Sequence, residues 1–159
     1  QLRLKWPNDL MLGEQKLCGI LIERAGEADP WHLVIGIGTN LNRPQTMPDA
    51  ASLADYGADC RTDLNADQLA REILNQVERL RSVFHRGGAM ALRQAWLQHA
   101  WHRGGHVSCH VDGKRLEGIF DDLDLDGALI LSLPDGTERK ITGGEVHFLS
   151  LSSLGLETA

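Results

Sequence analysis

Nothing in this chain supplies a membrane anchor, a disulfide framework or a basic face. No apolar run approaches the roughly 18 residues of a membrane-spanning helix, and no charged-then-apolar leader opens it. Cysteine is scarce: Cys18, Cys60 and Cys109 are three in number, widely spaced and in no C-x-x-C pair. That pattern points to buried thiols in a reducing cytoplasm rather than to stapling or zinc. Positive charge is short as well, 16 Lys and Arg against 22 Asp and Glu, for a net charge of −6. Such a balance argues against nucleic acid as a partner of the whole chain. No P-loop, internal repeat or low-complexity tract occurs. There is no initiator Met, and Leu2-Arg3-Leu4-Lys5-Trp6 already alternates like the middle of a strand, so the chain is expected to start inside a fold. Its 159 residues suffice for one ordinary domain, with or without a small appendage.

What is present falls into three zones. Residues 2–42 read as four short strands in an antiparallel meander, broken at Pro7-Asn8-Asp9, at Gly13-Glu14-Gln15 and in a loop over 25–30. Residues 63–100 read as helical. Asn65 with Gln68 makes a capping-box pattern, and Leu69, Ile73, Val77, Leu80 and Phe84 fall on one helix face. Gly87-Gly88 is expected to stop that helix, and a second is expected over 90–100. From about 105 the strand pattern returns. Val107, Cys109 and Val111 alternate with polar residues, and Asp112-Gly113, Asp126-Gly127 and Pro134-Asp135-Gly136 mark turns. Strands over 116–120, 128–133 and 146–149 complete a small β-barrel, and 149–159 reads as a frayed tail.

Several residues carry chemistry on either of two readings. Asn8 and Asp9 form an Asx-type turn, or a strand-end polar pair facing a ligand or magnesium ion. Lys16 is a solvated charge, or an ammonium reaching over Gly19 to stabilise a carboxylate or phosphate. Gly19 within an apolar strand marks close backbone approach, which favours the second reading of Lys16. Gly36-Ile37-Gly38-Thr39-Asn40 tempts towards a dinucleotide fingerprint, but Leu41 stands where the third glycine belongs and no helix follows. The glycines still admit a ligand against the backbone, and Asn40 is able to pair with a base edge or ribose. His99, His102, His106, His110 and Cys109 are divided by Gly104-Gly105, and alternation sends Cys109 away from His106 and His110, so they read as a solvated hinge. Asp122, Asp124 and Asp126-Gly127 have the spacing of a calcium loop, but Leu133 occupies its closing position, and a turn between strands is expected. No protein-only metal site is expected.

Taken in order, Lys5-Trp6-Pro7-Asn8-Asp9, Lys16-Leu17-Cys18-Gly19-Ile20-Leu21-Ile22-Glu23 and Gly36-Ile37-Gly38-Thr39-Asn40 resemble the run K-W-P-N-D, K-x-x-G-I-L-x-E, G-x-G-x-N of biotin protein ligases. Gly118, Asp126-Gly127-Ala128-Leu129 and Gly143-Gly144-Glu145-Val146 resemble that family's C-terminal SH3-like barrel. The resemblance implies an α+β fold: the remainder of a class II synthetase-like mixed sheet with helices over 1–103, an SH3-like barrel over 104–150, and a tail over 151–159. It implies formation of biotinyl-5′-AMP from biotin and Mg·ATP, followed by transfer to a lysine of a biotin carboxyl carrier protein. Lys16 matches the family lysine that stabilises developing charge; Gly19, Ile20, Gly36 and Gly38 match the biotin pocket; Asn8, Asp9 and Asn40 match the ATP and magnesium positions. Biotin, ATP and Mg2+ enter as substrates or ions, with no tightly bound prosthetic group.

Family members carry a Ser/Thr-rich strand and a G-R-G-R-x-G-R type loop upstream of K-W-P-N-D. Neither occurs here, nor does a winged helix-turn-helix, so the chain is expected to be the C-terminal portion of such a ligase, with homodimerisation left open. The rival expectations are an inactive fragment serving as an interaction module and a lipoate-type acyl-adenylate ligase.

Overall fold

The computed structural model describes residues 1–26, 32–59, 65–111, 113–144 and 146–149. It divides into two compact units, Gln1–Leu80 and Arg81–Ala159.

In the first unit, four strands, β1 (Leu2–Lys5), β2 (Asp9–Leu12), β3 (Gln15–Ala25) and β4 (His32–Thr39), form one sheet in sequence order. Tight turns between neighbours allow only antiparallel pairing, and every ladder is antiparallel, as the meander pattern implies. A parallel strand that would make this sheet mixed is not among the described residues. The main core cluster lies on one face, where Leu17, Cys18 and Ala51 are buried against Leu2, Leu10, Leu12, Ile20 and Leu53; Trp6 and Met11 are buried outside it. A 3-10 helix, Leu53–Asp59, follows the loop after β4.

Helix α1 spans Ala66–Gln98. Its start is the expected capping box: the Gln68 N–H donates to Asn65 Oδ1 at 2.9 Å, and the Asn65 N–H donates to Gln68 Oε1 at 3.0 Å. As expected, the first helical stretch ends at the glycine pair, where Gly88 has φ 64° and ψ −164°, and a second stretch follows. Left-handed φ is open to glycine without a Cβ penalty, so the chain passes through the break and resumes. The apolar stripe is covered only in part. Leu69 and Ile73 face β4 across a cavity of about 320 Å³, whereas Val77, Leu80 and Phe84 are exposed.

In the second unit, β5 (His106–Val111), β6 (Lys114–Leu123), β7 (Leu129–Ser132), β8 (Glu138–Ile141) and β9 (Val146–Phe148) form a sheet in the order β8-β7-β6-β5-β9. No ladder joins β8 to β9 among the described residues, so closure of this sheet into a barrel is not seen among them. Val107, Cys109, Phe120, Leu123, Ala128, Leu129, Leu131, Ile141 and Val146 are this unit's buried apolar residues. The second stretch of α1 packs on this sheet: Trp96 meets Phe120 edge-on at 6.3 Å, and Arg93 pairs with Asp122 and donates to the Leu123 carbonyl at 2.6 Å. The aspartates with calcium-loop spacing form a turn as expected. Asp124 Oδ1 accepts the Asp126 and Ala128 N–H groups, and Lys140 pairs with the Asp124 carboxylate. His106 and His110 are exposed while Cys109 is buried, and burial pushes its thiol pKa up. Cys60, the Asp112 turn residue, Glu145, most of the 25–30 loop and the 151–159 tail lie outside the described residues.

Gly118 sits where β6 and β7 leave no room: a Cβ there would stand 2.5 Å from the Ser132 carbonyl oxygen and 2.8 Å from Leu131 Cγ. Backbone cannot yield as a side-chain tip can. Gly118→Ala is therefore expected to destabilise the second unit by about 2 kcal/mol or more, measured as a lowered urea midpoint.

Candidate functional site

The register of β2 on β3 changes by one residue. Asp9 pairs with Gly19 and Leu10 with Cys18, but Met11 pairs with Lys16 and Leu12 with Gln15. Leu17 is the extra residue, and the irregularity is a β-bulge. Side chains alternate along a strand, so without the bulge Lys16 would share the core face with Cys18. With it, Leu17 and Cys18 are both buried in the core, and Lys16 turns to the opposite face, beside Asp9 and Gly19. Re-aiming a side chain in this way is a recurrent use of bulges.

On that face the Lys16 ammonium meets Asp9 Oδ1 at 2.6 Å, with the lysine side chain 54% exposed and the aspartate 15%. A Cβ at Gly19 would lie 3.2 Å from Lys16 Cε and Nζ, and 3.5 Å from Asp9 Oδ1, so the glycine leaves space for the pair. Gly38 is the cross-strand partner of Gly19, and Gly36 that of Leu21. Gly19, Gly38 and Gly36 therefore open a stretch of bare backbone on the same face, bordered by the exposed side chains of Leu21 and Val34. The opposite face of β4 carries Ile35, Ile37 and Thr39 towards α1.

Lys16, Asp9, Gly19, Gly36 and Gly38 are thus brought together. Three other expected site residues are placed differently. The Ile20 side chain packs with the core cluster, and its backbone is held by Asn8, whose Nδ2 donates to the Ile20 carbonyl at 2.6 Å while its carbonyl accepts the Ile20 N–H at 2.9 Å. Asn40 donates through Nδ2 to the Ala51 carbonyl at 2.9 Å, and its N–H to the Leu17 carbonyl at 3.1 Å. Both amides therefore hold backbone. Among the described residues, no group of three His, Cys, Asp or Glu side chains is arranged to hold a metal ion.

Sequence reasoning passed over the loop of residues 40–59. Ala51 donates its N–H to the Lys16 carbonyl at 3.0 Å. Next to it Ser52, fully buried, donates its N–H at 2.7 Å and its hydroxyl at 2.8 Å to Asp55 Oδ2, while Arg43 pairs with Asp55 Oδ1 at 3.0 Å. The Ser52 hydroxyl, then the Arg43 guanidinium, hold the Asp55 carboxyl below the usual carboxylate range. The signal was present as S-x-x-D at Ser52, the pattern of a capping box.

In fold, the chain is like solved biotin protein ligases. The apo biotin protein ligase of Aquifex aeolicus superposes with a TM-score of 0.74 at 22% identity, over 93% of this chain and 65% of that one. Residues 1–40 match the Biotin/lipoate A/B protein ligase family, and residues 106–149 match the Biotin protein ligase C terminal domain. The Biotin--[acetyl-CoA-carboxylase] ligase of Paracoccus denitrificans is 31% identical over 157 residues, 93% of this chain and 63% of that protein. The Bifunctional ligase/repressor BirA of Salmonella typhimurium is 29% identical over 156 residues, 94% of this chain and 47% of that protein. The chain thus spans between about half and two-thirds of these relatives' lengths, and it belongs to the biotin protein ligase family.

The depressed Asp55 pKa fixes a pH dependence. A carboxylate held low in the folded state adds stability above its unfolded value of about 4, and that stability is lost as pH falls through the folded value. The melting midpoint of Asp55→Asn is expected to lie below wild type at pH 5–7, with the gap closing below about pH 4, followed by circular dichroism.

Proposed function

We propose that the protein carrying this chain is a biotin protein ligase, joining biotin through its adenylate to a lysine of a carboxylase carrier domain. The observation that carries the reading is the Lys16 ammonium set beside Gly19 on the glycine face. Gly36 and Gly38 support it, because neither has a left-handed φ and a Cβ at either would meet nothing closer than 3.8 Å. The fold does not require glycine at these two positions, whereas a flat ligand lying on the backbone does.

On this reading biotin lies along the glycine face with its carboxylate towards Lys16. A carboxylate oxygen attacks the α-phosphorus of Mg·ATP, the bond to the β-phosphate oxygen breaks, and pyrophosphate leaves. The neutral carrier lysine then attacks the acyl carbon, loses a proton, and AMP departs. Negative charge grows near the same oxygens in both steps, and a fixed ammonium stabilises it without reorganising. Magnesium arrives with the nucleotide as part of the substrate, since Asp9 is engaged by Lys16 and the Asn8 amide by Ile20. The match of residues 106–149 to a biotin protein ligase domain favours biotin over lipoate. The accompanying proposals are a catalytic portion over 1–103, an SH3-like barrel over 104–150, a tail over 151–159, carrier protein as partner and a cytoplasmic setting. No described helix is long and apolar enough to cross a membrane.

Lys16→Ala in the full-length protein is expected to lower both half-reactions by about 10²- to 10³-fold with circular dichroism unchanged. An unaltered rate of biotin-dependent pyrophosphate exchange would remove Lys16 from the mechanism. Gly38→Val is expected to leave the urea midpoint at or above wild type, valine being favoured in strands, while weakening biotin binding at least about tenfold in calorimetric titration, the equivalent of roughly 1.4 kcal/mol.

A further inference from the structure

The loop of residues 40–59 grips the bulge from which Lys16 projects. Its two ends take the two bulge carbonyls, Ala51 N–H on Lys16 and Asn40 N–H on Leu17, at 3.0 and 3.1 Å. The loop is then tied to itself. Asn40 Nδ2 donates to the Ala51 carbonyl at 2.9 Å, and the Leu53 and Ala54 N–H groups donate to the Asn40 and Leu41 carbonyls at 2.8 and 3.2 Å. Asp55 closes the arrangement by accepting both Ser52 donors, and Arg43 locks it from outside, reaching Asp55 and, at 2.9 Å, the Pro48 carbonyl. Polar contacts run from Arg43 through Asp55 to Ser52, and the chain neighbour of Ser52, Ala51, reaches the Lys16 carbonyl.

We propose that Asp55, secured by Arg43, is a positioning residue for Lys16: it holds the 40–59 loop on the β3 bulge, and the held bulge keeps the ammonium on the glycine face. The inference rests on the ligase reading for its catalytic consequence and on geometry alone for the positioning. Loss of the Asp55 carboxylate frees Ser52, loosens Ala51 and lets the bulge relax. A misplacement of this size, remote from the chemistry, costs up to about a hundredfold in rate.

The test uses the full-length protein with lysines reductively methylated with 13C and observed by NMR. The Lys16 signal is identified by its absence in Lys16→Arg, and its position with the Asp9 contact broken by Asp9→Asn. Asp55→Ala is expected to move the Lys16 signal towards the Asp9→Asn position. Asp55→Asn, which keeps an acceptor for Ser52, is expected to hold it near wild type. In biotin-dependent pyrophosphate exchange, Asp55→Ala is expected to lower kcat by about ten- to a hundredfold, with a proportionately smaller change in the KM for biotin. Asp55→Ala that melts earlier but keeps the wild-type Lys16 signal overturns the proposal and leaves Asp55 a stability residue only. Should Asp55→Ala fail to fold, Arg43→Gln removes only the outer lock, and a smaller shift in the same direction supports the proposal while an unmoved signal overturns it. Wild-type protein without biotin-dependent exchange overturns the ligase reading, and the Lys16 signal still decides the positioning.

Discussion

One extra residue in β3 governs the first unit. Because the side-chain period of a strand is two, a single insertion moves everything on one side of it to the other face. Leu17 is that insertion. It lets two consecutive side chains, Leu17 and Cys18, enter the core while the preceding lysine leaves it. The same irregularity turns the two bulge carbonyls towards the loop that follows β4, where Asn40 and Ala51 meet them. Core packing, loop anchoring and the exposure of a cation on a face of bare backbone are therefore consequences of one local geometry.

The two faces of the sheet divide the work. One is filled by Leu17, Cys18 and Ala51 with their partly buried neighbours, and it supplies the hydrophobic contribution to folding. The other carries the ion pair and three glycines, whose missing side chains contribute little to a core. An ion pair as open as that of Lys16 and Asp9, with the lysine about half exposed, adds little to stability. Its worth on this face is orientation of the ammonium. The second unit shows no such division: its turns are closed by Asp124 and Asp135, whose carboxylates accept local N–H and hydroxyl donors, and its glycine at 118 answers to packing.

Features set by neighbours in sequence were legible. The four strands of the meander, the Asn65 capping box and the Gly127 and Gly136 turns depend on residues within four positions of each other, and their patterns survive without knowledge of the fold. The glycine within the apolar run of β3 points to Lys16 over Gly19, and Lys16 Nζ lies 3.2 Å from where a Gly19 Cβ would stand. What escaped was set at longer range. A bulge alters no composition, so strict alternation would have sent Lys16 inward; only the pairing of Met11 with Lys16 reveals it. Asn40 finds its side-chain partner eleven residues on, across a loop with no periodicity to read. Closure of the second unit's sheet, expected from the sequence, depends on edge strands meeting, which no local pattern states.

The glycine face has one further consequence. Backbone amides in a sheet lie in its plane, so a surface made of backbone presents no donors or acceptors to anything lying flat upon it. On the proposed reading, a ligand over Gly19, Gly38 and Gly36 would be held there by dispersion and contour. Polar discrimination is thereby confined to the perimeter, with Lys16 and Asp9 at one end. On that reading, selectivity for a molecule's outline and selectivity for its charged terminus would be physically separate, each open to change without disturbing the other.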